Sequence, residues 1–167
     1  MHRCPKTDRL GWERDARLWG LHPKKVLAVL HKSSDRMDRV SDHLETARRF
    51  QATLDYLCTE KHNHQEWICA VAFYVALHFV DALLESRSEE YQHSHDGRLW
   101  ALKSNRSYQH IHKHFRPLYD ASLLARYRSN GDRTFETELE GKCAVDIFVK
   151  HRLHQVRSGV QSLMSQA

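Results

Sequence analysis

The clearest chemistry in this sequence lies where histidine and arginine occur close together. His95 and Arg98 are three residues apart in the segment SHDGR. A histidine can act as acid or base near neutral pH, and an arginine can hold a phosphate through two parallel hydrogen bonds. The pair therefore suggests binding or cleavage of a phosphodiester. The alternative is a local role, in which Ser94 or Asp96 caps a helix and His95 packs against the loop.

A second group of basic and aromatic residues follows at the end of a predicted helix. Arg126, Tyr127 and Arg128 are consecutive, and Arg133 comes shortly afterwards. Arginines contact phosphates and aromatic rings stack on bases, so this group could bind RNA or a nucleotide. Arginine in the last turn of a helix is also favourable for the helix dipole alone. Both interpretations stay open at the level of sequence.

Seven histidines fall into three clusters that raise the question of a metal site. They are His62 and His64, His93 and His95, and His110, His112 and His114. His110 and His114 are spaced so that they could share a metal on one helical face. No glutamate lies between them, and Lys113 adds a repulsive positive charge. We therefore predict solvated histidines, with no metal ligands and no cofactor.

Composition limits the class of protein and its partners. The 167 residues carry a formal net charge of +5, which suits polyanionic partners, chiefly nucleic acid, the alternative being a mildly basic surface without such a partner. Only six Gly and three Pro are present, so helices are favoured over an all-β fold. The four Cys form no CxxC pair, and the first residues lack the apolar segment of a signal peptide. We expect a cytoplasmic protein that does not enter a membrane.

The element that must position these groups is the apolar stretch WICAVAFYVALHFVDALL, from Trp67 to Leu84. It is too long for a typical strand, and its two polar residues make it a poor membrane span, so it predicts a buried central helix. Those two residues, His78 and Asp81, share a helix face with Tyr74 and Glu85. We predict that His78 and Asp81 hydrogen-bond each other as internal struts, the alternative being a base and its orienting group.

The whole pattern predicts an all-α bundle of four to five helices over residues 41–167, preceded by a basic N-terminal extension over residues 1–40. The helices are predicted over residues 42–60, 64–86, 96–103, 108–127 and 141–166. Residues 32–42 read as a polar linker before the first helix. Leu99, Trp100 and Leu102 are expected to cover the core, and Pro117 predicts a kink or a restart of the fourth helix.

This order of elements resembles the HEPN superfamily of small helical bundles. Three segments and the long C-terminal helix carry the resemblance, which covers residues 41–166. The segments are AFYVALHFVDALLESR (72–87), SHDGRLWAL (94–102) and LYDASLLARYRS (118–129). The resemblance implies a homodimeric domain associated with RNA or nucleotides, in a toxin–antitoxin or antiviral defence system, with an antitoxin or a larger complex as possible partner.

Active members of that superfamily are metal-independent endoribonucleases that use an Arg followed a few residues later by a His, placed at the dimer cleft. The pair that matches here is Arg106 and His112. The resemblance thus implies His95 or His112 as the acid or base, with Arg98, Arg106 and Arg126 stabilising phosphate charge. The first alternative is a non-catalytic interaction subunit of a larger complex. The second is a metal-dependent enzyme that uses the histidine clusters.

Overall fold

The structure, a computed structural model, describes residues 23–59, 64–127 and 143–166, with side chains from residue 33 onward. These residues are helical throughout apart from short connections, so the predicted all-α class is confirmed. The chain divides into two compact units, Met1–Asp38 and Arg39–Ala167, and the bundle described below belongs to the second. The elements are α1 (Pro23–Thr59), α2 (Gln65–Ser86), α3 (His95–Ser104), a 3₁₀ turn (Arg106–Tyr108), α4 (Gln109–Tyr127) and α5, a π-helical segment (Val145–Leu153) that continues as α-helix (His154–Met164).

Helix α1 is longer than the sequence predicted, because residues 32–42 are helical rather than a linker. This segment is polar, but it contains no Gly or Pro that would break a helix. The helix begins at Pro23, since proline is tolerated in the first turn. The predicted helix start at Asp42 is therefore wrong, and the predicted domain boundary after residue 40 falls inside a helix.

Helix α2 is the core helix, as predicted. Fourteen of its residues are buried, among them Ile68, Phe73, Val80 and Leu83. It contacts both α4 and α5. By length and composition alone α2 could cross a membrane, but 78% of its most apolar window is buried against the rest of the protein.

Helix α3 begins at His95, and Ser94 is its N-cap, because the Ser94 hydroxyl accepts a hydrogen bond of 3.0 Å from the Gly97 amide. Leu99 and Leu102 are buried as predicted. Trp100 is 66% exposed, so the prediction that it covers the core is wrong. Residues three apart share a helix face, whereas the residue next to Leu99 points away from it.

Helices α4 and α5 pack closely against the core and against each other. Helix α4 runs through Pro117 without a restart. Gly159 lies where α5 crosses α4, and a Cβ atom there would come within 2.9 Å of Cγ1 of buried Ile111. A glycine costs a helix about 1 kcal/mol relative to alanine. The close approach of the two helices is what this glycine permits.

Gly97, in the first turn of α3, makes a close backbone approach that yields a test of the packing. A Cβ atom there would lie 2.2 Å from the Gln92 carbonyl oxygen, which belongs to the backbone and cannot rotate away. We expect Gly97→Ala to lower the free energy of unfolding by about 2–3 kcal/mol in urea denaturation. Lys103→Ala, at an exposed position of the same helix, should change it by less than about 0.5 kcal/mol. Equal stability of the two variants would contradict the packing of the loop against α3.

Candidate functional site

One face of α2 carries four polar residues, as predicted: Tyr74, His78, Asp81 and Glu85. Each of them meets a partner from another helix. The partners are, in order, Arg126 of α4, His43 of α1, Arg98 of α3 and Arg39 of α1. The polar face of α2 therefore determines which side chains of three other helices lie beside the core helix.

The most deeply buried of these contacts joins Asp81 to Arg98. Arg98 donates from Nε to Oδ1 at 2.6 Å and from Nη2 to Oδ2 at 2.8 Å. The hydroxyl of Tyr91 also donates to Oδ1 at 3.0 Å, and burial followed by the Asp81 carboxylate raises the pKa of that phenol, which keeps it a donor. Asp81 is 1% exposed and Arg98 8% exposed.

The partner of Asp81 is thus Arg98, and the predicted hydrogen bond between His78 and Asp81 is wrong. His78 instead meets His43, with 3.2 Å between their Nδ1 atoms. The burial of Arg98 in an ion pair also argues against the phosphate-binding role expected for it. Arg98 lies one helical turn before Leu102, which is buried, so the two residues share a helix face. This spacing in the sequence already indicated that Arg98 faces inward.

His95 is the first residue of α3 and lies against aromatic rings. Its ring centroid is 5.3 Å from that of Phe73 on α2 and 5.3 Å from that of Tyr119 on α4. Burial lowers the pKa of His95, and the positive charges of Arg98 and Arg126 lower it further. His95 is therefore neutral at pH 7, which is the form that accepts a proton. Its Nδ1 is buried and has no hydrogen-bond partner in the described part of the chain.

Arg126, in the last turn of α4, is a cation in contact with this aromatic group. Its guanidinium donates to the Tyr74 hydroxyl at 2.8 Å, to the Ser122 carbonyl oxygen at 3.0 Å and to the Ser122 hydroxyl at 3.3 Å. It also lies 6.0 Å from the ring centroid of Phe73 and 5.1 Å from that of Tyr127. Within the residues that the structure describes, no carboxylate pairs with it.

The fold therefore brings two of the predicted site residues, His95 and Arg126, to the same aromatic ring, that of Phe73. We call this group the His95–Arg126 site; it also includes Tyr74, Tyr119 and Tyr127. Sequence reasoning found His95, Arg126 and Tyr127 and missed the other three residues. Tyr74 was recognised only as part of the polar face of α2, and Phe73 and Tyr119 as apolar.

The other predicted pair, Arg106 and His112, is not brought together by any contact among the described residues. Arg106 is exposed in the 3₁₀ turn. His112 is half-buried on α4, and burial lowers its pKa, followed by the nearby charges of Lys103 and Arg116. Two further predicted residues, Arg128 and Arg133, lie outside the described residues.

The histidines of α4 that were weighed as metal ligands form a basic cluster. His110 and His114 have ring centroids 4.9 Å apart, and His151 of α5 lies 5.4 Å from His114. Arg152 occupies the remaining side, with Nη1 3.3 Å from Nδ1 of His114. Burial lowers the pKa of His114 to about 4, with these neighbouring cations as the further cause.

Comparison with known proteins adds no relative. No family model, no curated protein and no solved structure matches this chain. The resemblance to the HEPN superfamily therefore depends on the sequence segments quoted above. What it implies about function is a proposal.

Asp81 and Arg98 give a first prediction for the site. Removing one partner of a buried ion pair leaves an uncompensated charge, so Asp81→Leu and Arg98→Met should each lower the free energy of unfolding by about 3–5 kcal/mol. The double variant should lose much less than the sum of the two. A double-mutant cycle in urea measures this coupling, and additive losses would show that the pair is not coupled. The exposed pair Arg116–Asp120 serves as a control, where coupling should stay below about 1 kcal/mol.

His114 gives a prediction for pH dependence. Its pKa is about 4 in the folded protein and about 6.5 in an unfolded chain, so between these values the unfolded chain binds more protons. Stability from a neutral His114 is therefore present above pH 6.5 and is lost as the pH falls towards 4. We expect the wild type to lose about 2 kcal/mol more over this range than His114→Gln, measured by urea denaturation at several pH values. Parallel pH profiles of the two proteins would contradict this assignment.

Proposed function

We propose that this protein is an RNA- or nucleotide-binding domain of HEPN type, and that it binds phosphate at the His95–Arg126 site. The observation that carries the proposal is the environment of Arg126. Its positive charge lies among aromatic rings and close enough to His95 to lower the pKa of that histidine, with no carboxylate partner in the described part of the chain. Such a charge is best compensated by a bound anion.

The geometry of Arg126 suits a phosphate. A guanidinium has five N–H donors, and three of those of Arg126 are used by Tyr74 and Ser122. These contacts hold the side chain in one orientation and leave two N–H groups without a partner among the described residues. Orientation fixed before binding reduces the entropy lost when the ligand arrives.

An exposed aromatic ring beside Arg126 favours nucleic acid over a simple anion as the ligand. Tyr127 is 72% exposed, next to Arg126 in sequence and in contact with its guanidinium. A base that stacks on an exposed ring typically contributes about 1–3 kcal/mol, and an adjacent arginine holds the backbone phosphate. The net charge of +5 acts in the same direction, since it attracts a polyanion.

We propose cleavage as the second step at the same site. Neutral His95 would take the proton from a ribose 2′-hydroxyl, and that oxygen would attack the adjacent phosphorus while Arg126 stabilises the developing negative charge. The bond to the 5′ oxygen breaks, that oxygen takes a proton from water, and the hydroxide so formed takes the proton back from His95. The products are a 2′,3′-cyclic phosphate and a 5′-hydroxyl, and the step needs no metal. In this proposal Arg98 is a positioning residue, because its ion pair with Asp81 fixes the helix turn that carries His95.

The proposal retains three features from the HEPN resemblance: a homodimer, a cytoplasmic location, and a role in a toxin–antitoxin or antiviral defence system.

The second candidate function is a non-catalytic interaction subunit. The apolar face of α2 is buried within its own chain, so a partner protein would have to use other surfaces. Tyr56 and Trp67, both large and exposed, are the observation in its favour.

Binding is tested with a labelled single-stranded RNA of mixed sequence. We expect Arg126→Gln to weaken binding about tenfold or more and to reduce the dependence of log K on log salt by about 0.7, the amount for one phosphate contact. Arg116→Gln is the matched control, since this arginine lies on the same helix but is paired with Asp120, and its variant should bind as the wild type does. Arg106→Gln tests the other predicted site.

Cleavage is tested with the same RNA in EDTA. His95→Ala should abolish cleavage while His112→Ala retains it, and the reverse result would move the active site to the Arg106–His112 pair. Cleavage that EDTA abolishes would support a metal-dependent enzyme instead. If the wild type neither cleaves RNA nor binds it in a salt-dependent way, the interaction subunit is the better description.

A further inference from the structure

A separate group of side chains lies where α1 meets α2. His43 and His78 direct their Nδ1 atoms at each other across 3.2 Å. Two nitrogens bound to one tetrahedral Zn²⁺, with Zn–N lengths of about 2.0–2.1 Å, lie about 3.3 Å apart. The spacing of the two imidazoles is therefore close to the spacing that one shared metal ion would impose.

A carboxylate completes the group. One nitrogen from each histidine and one oxygen of Asp81 all lie within 4.8 Å of one another. In the part of the chain that the structure describes, this is the one set of three such groups that converges in this way. Two imidazoles and one carboxylate form a common ligand set of zinc and of other divalent transition metals.

The Asp81 carboxylate is already oriented by its other contacts. Arg98 and Tyr91 donate three hydrogen bonds to it, and an ionised carboxylate has about four acceptor positions, so one stays free. Outer contacts of this kind are the usual support of a carboxylate that ligates a metal. Arg98 therefore compensates part of the carboxylate charge without occupying all of its lone pairs.

The two histidines are also accessible to a metal ion, and stacking holds one of their rings in place. The ring of His78 stacks on Phe50 at a centroid distance of 5.6 Å, which holds its orientation. Both histidines are only partly buried, so an ion and a water ligand can reach them.

We propose that His43, His78 and Asp81 form a binding site for a divalent transition metal ion of the Zn²⁺ class, with water in the fourth position. The ion would join α1 to the core helix α2. This site does not include His95 or Arg126, and the inference does not depend on RNA binding. It also differs from the His110–His114 cluster, where Arg152 occupies the space beside the rings.

Metal binding is tested on the full chain after treatment with a chelator and dialysis. Co²⁺ is added as a spectroscopic probe, and Zn²⁺ is then titrated by calorimetry. We expect one Co²⁺ per chain with the visible absorption of tetrahedral coordination, displaced by Zn²⁺. His43→Gln and His78→Gln should each weaken Zn²⁺ binding by more than about 100-fold, beyond the 10–100-fold typical for loss of an outer contact.

Two control variants separate this site from the other histidines of the chain. His154→Gln changes an exposed histidine, and His110→Gln changes the basic cluster on α4; both should bind Co²⁺ as the wild type does. No stoichiometric binding by the wild type would overturn the proposal and leave a direct hydrogen bond between His43 and His78. Binding that survives in His43→Gln and disappears in His110→Gln would also overturn it.

A measurement on the wild type alone guards against a variant that fails to fold. Nitrogen NMR of the imidazole rings reports metal ligation at each histidine directly. Addition of one equivalent of Zn²⁺ should shift the Nδ1 signals of two histidines and leave the others unchanged. Shifts spread over many histidines, or none at all, would refute the site.

Discussion

Asp81 and Arg98 meet inside the bundle through two short hydrogen bonds, and the position of α3 on the core helix follows from that contact. A buried carboxylate without a partner is costly, and so is a buried guanidinium, so each residue requires the other. His95 lies one helical turn before Arg98 and is carried into contact with Phe73 by the same constraint. The ion pair therefore helps to position His95 against the core helix.

Arg98 and Arg126 differ in the groups that accept their hydrogen bonds. Both guanidinium groups lie close to the core helix and make several hydrogen bonds. Arg98 has a carboxylate partner, whereas Arg126 is held by neutral hydroxyl and carbonyl oxygens in the described part of the chain. Oxygen acceptors that are neutral fix the orientation of a cation without neutralising it. The remaining positive charge is why Arg126 is the better candidate for binding an anion.

Much of the fold was predictable because apolar periodicity is a local property of the sequence. The run from Trp67 to Leu84 has no polar break long enough to end a helix, and α2 is where it was predicted. Polar segments carry no such signal. Residues 32–42 look like a linker in sequence, yet they continue α1, because nothing in them breaks a helix. Trp100 shows that residue type alone does not predict burial, because this large apolar residue lies off the buried face of its helix and is exposed.

The sequence by itself determined the all-α class, the central helix and the polar face formed by Tyr74, His78, Asp81 and Glu85, because helical spacing places residues on a face without reference to any neighbour. Only the tertiary structure decided their partners. His78 faces His43 rather than Asp81, and Arg98 faces Asp81 rather than a ligand. Pairing across helices depends on how the helices cross, and the residues that meet are 35 positions apart in the first pair and 17 in the second. The residue type determines which interactions a polar side chain can make, and the fold determines which charged group lies beside it.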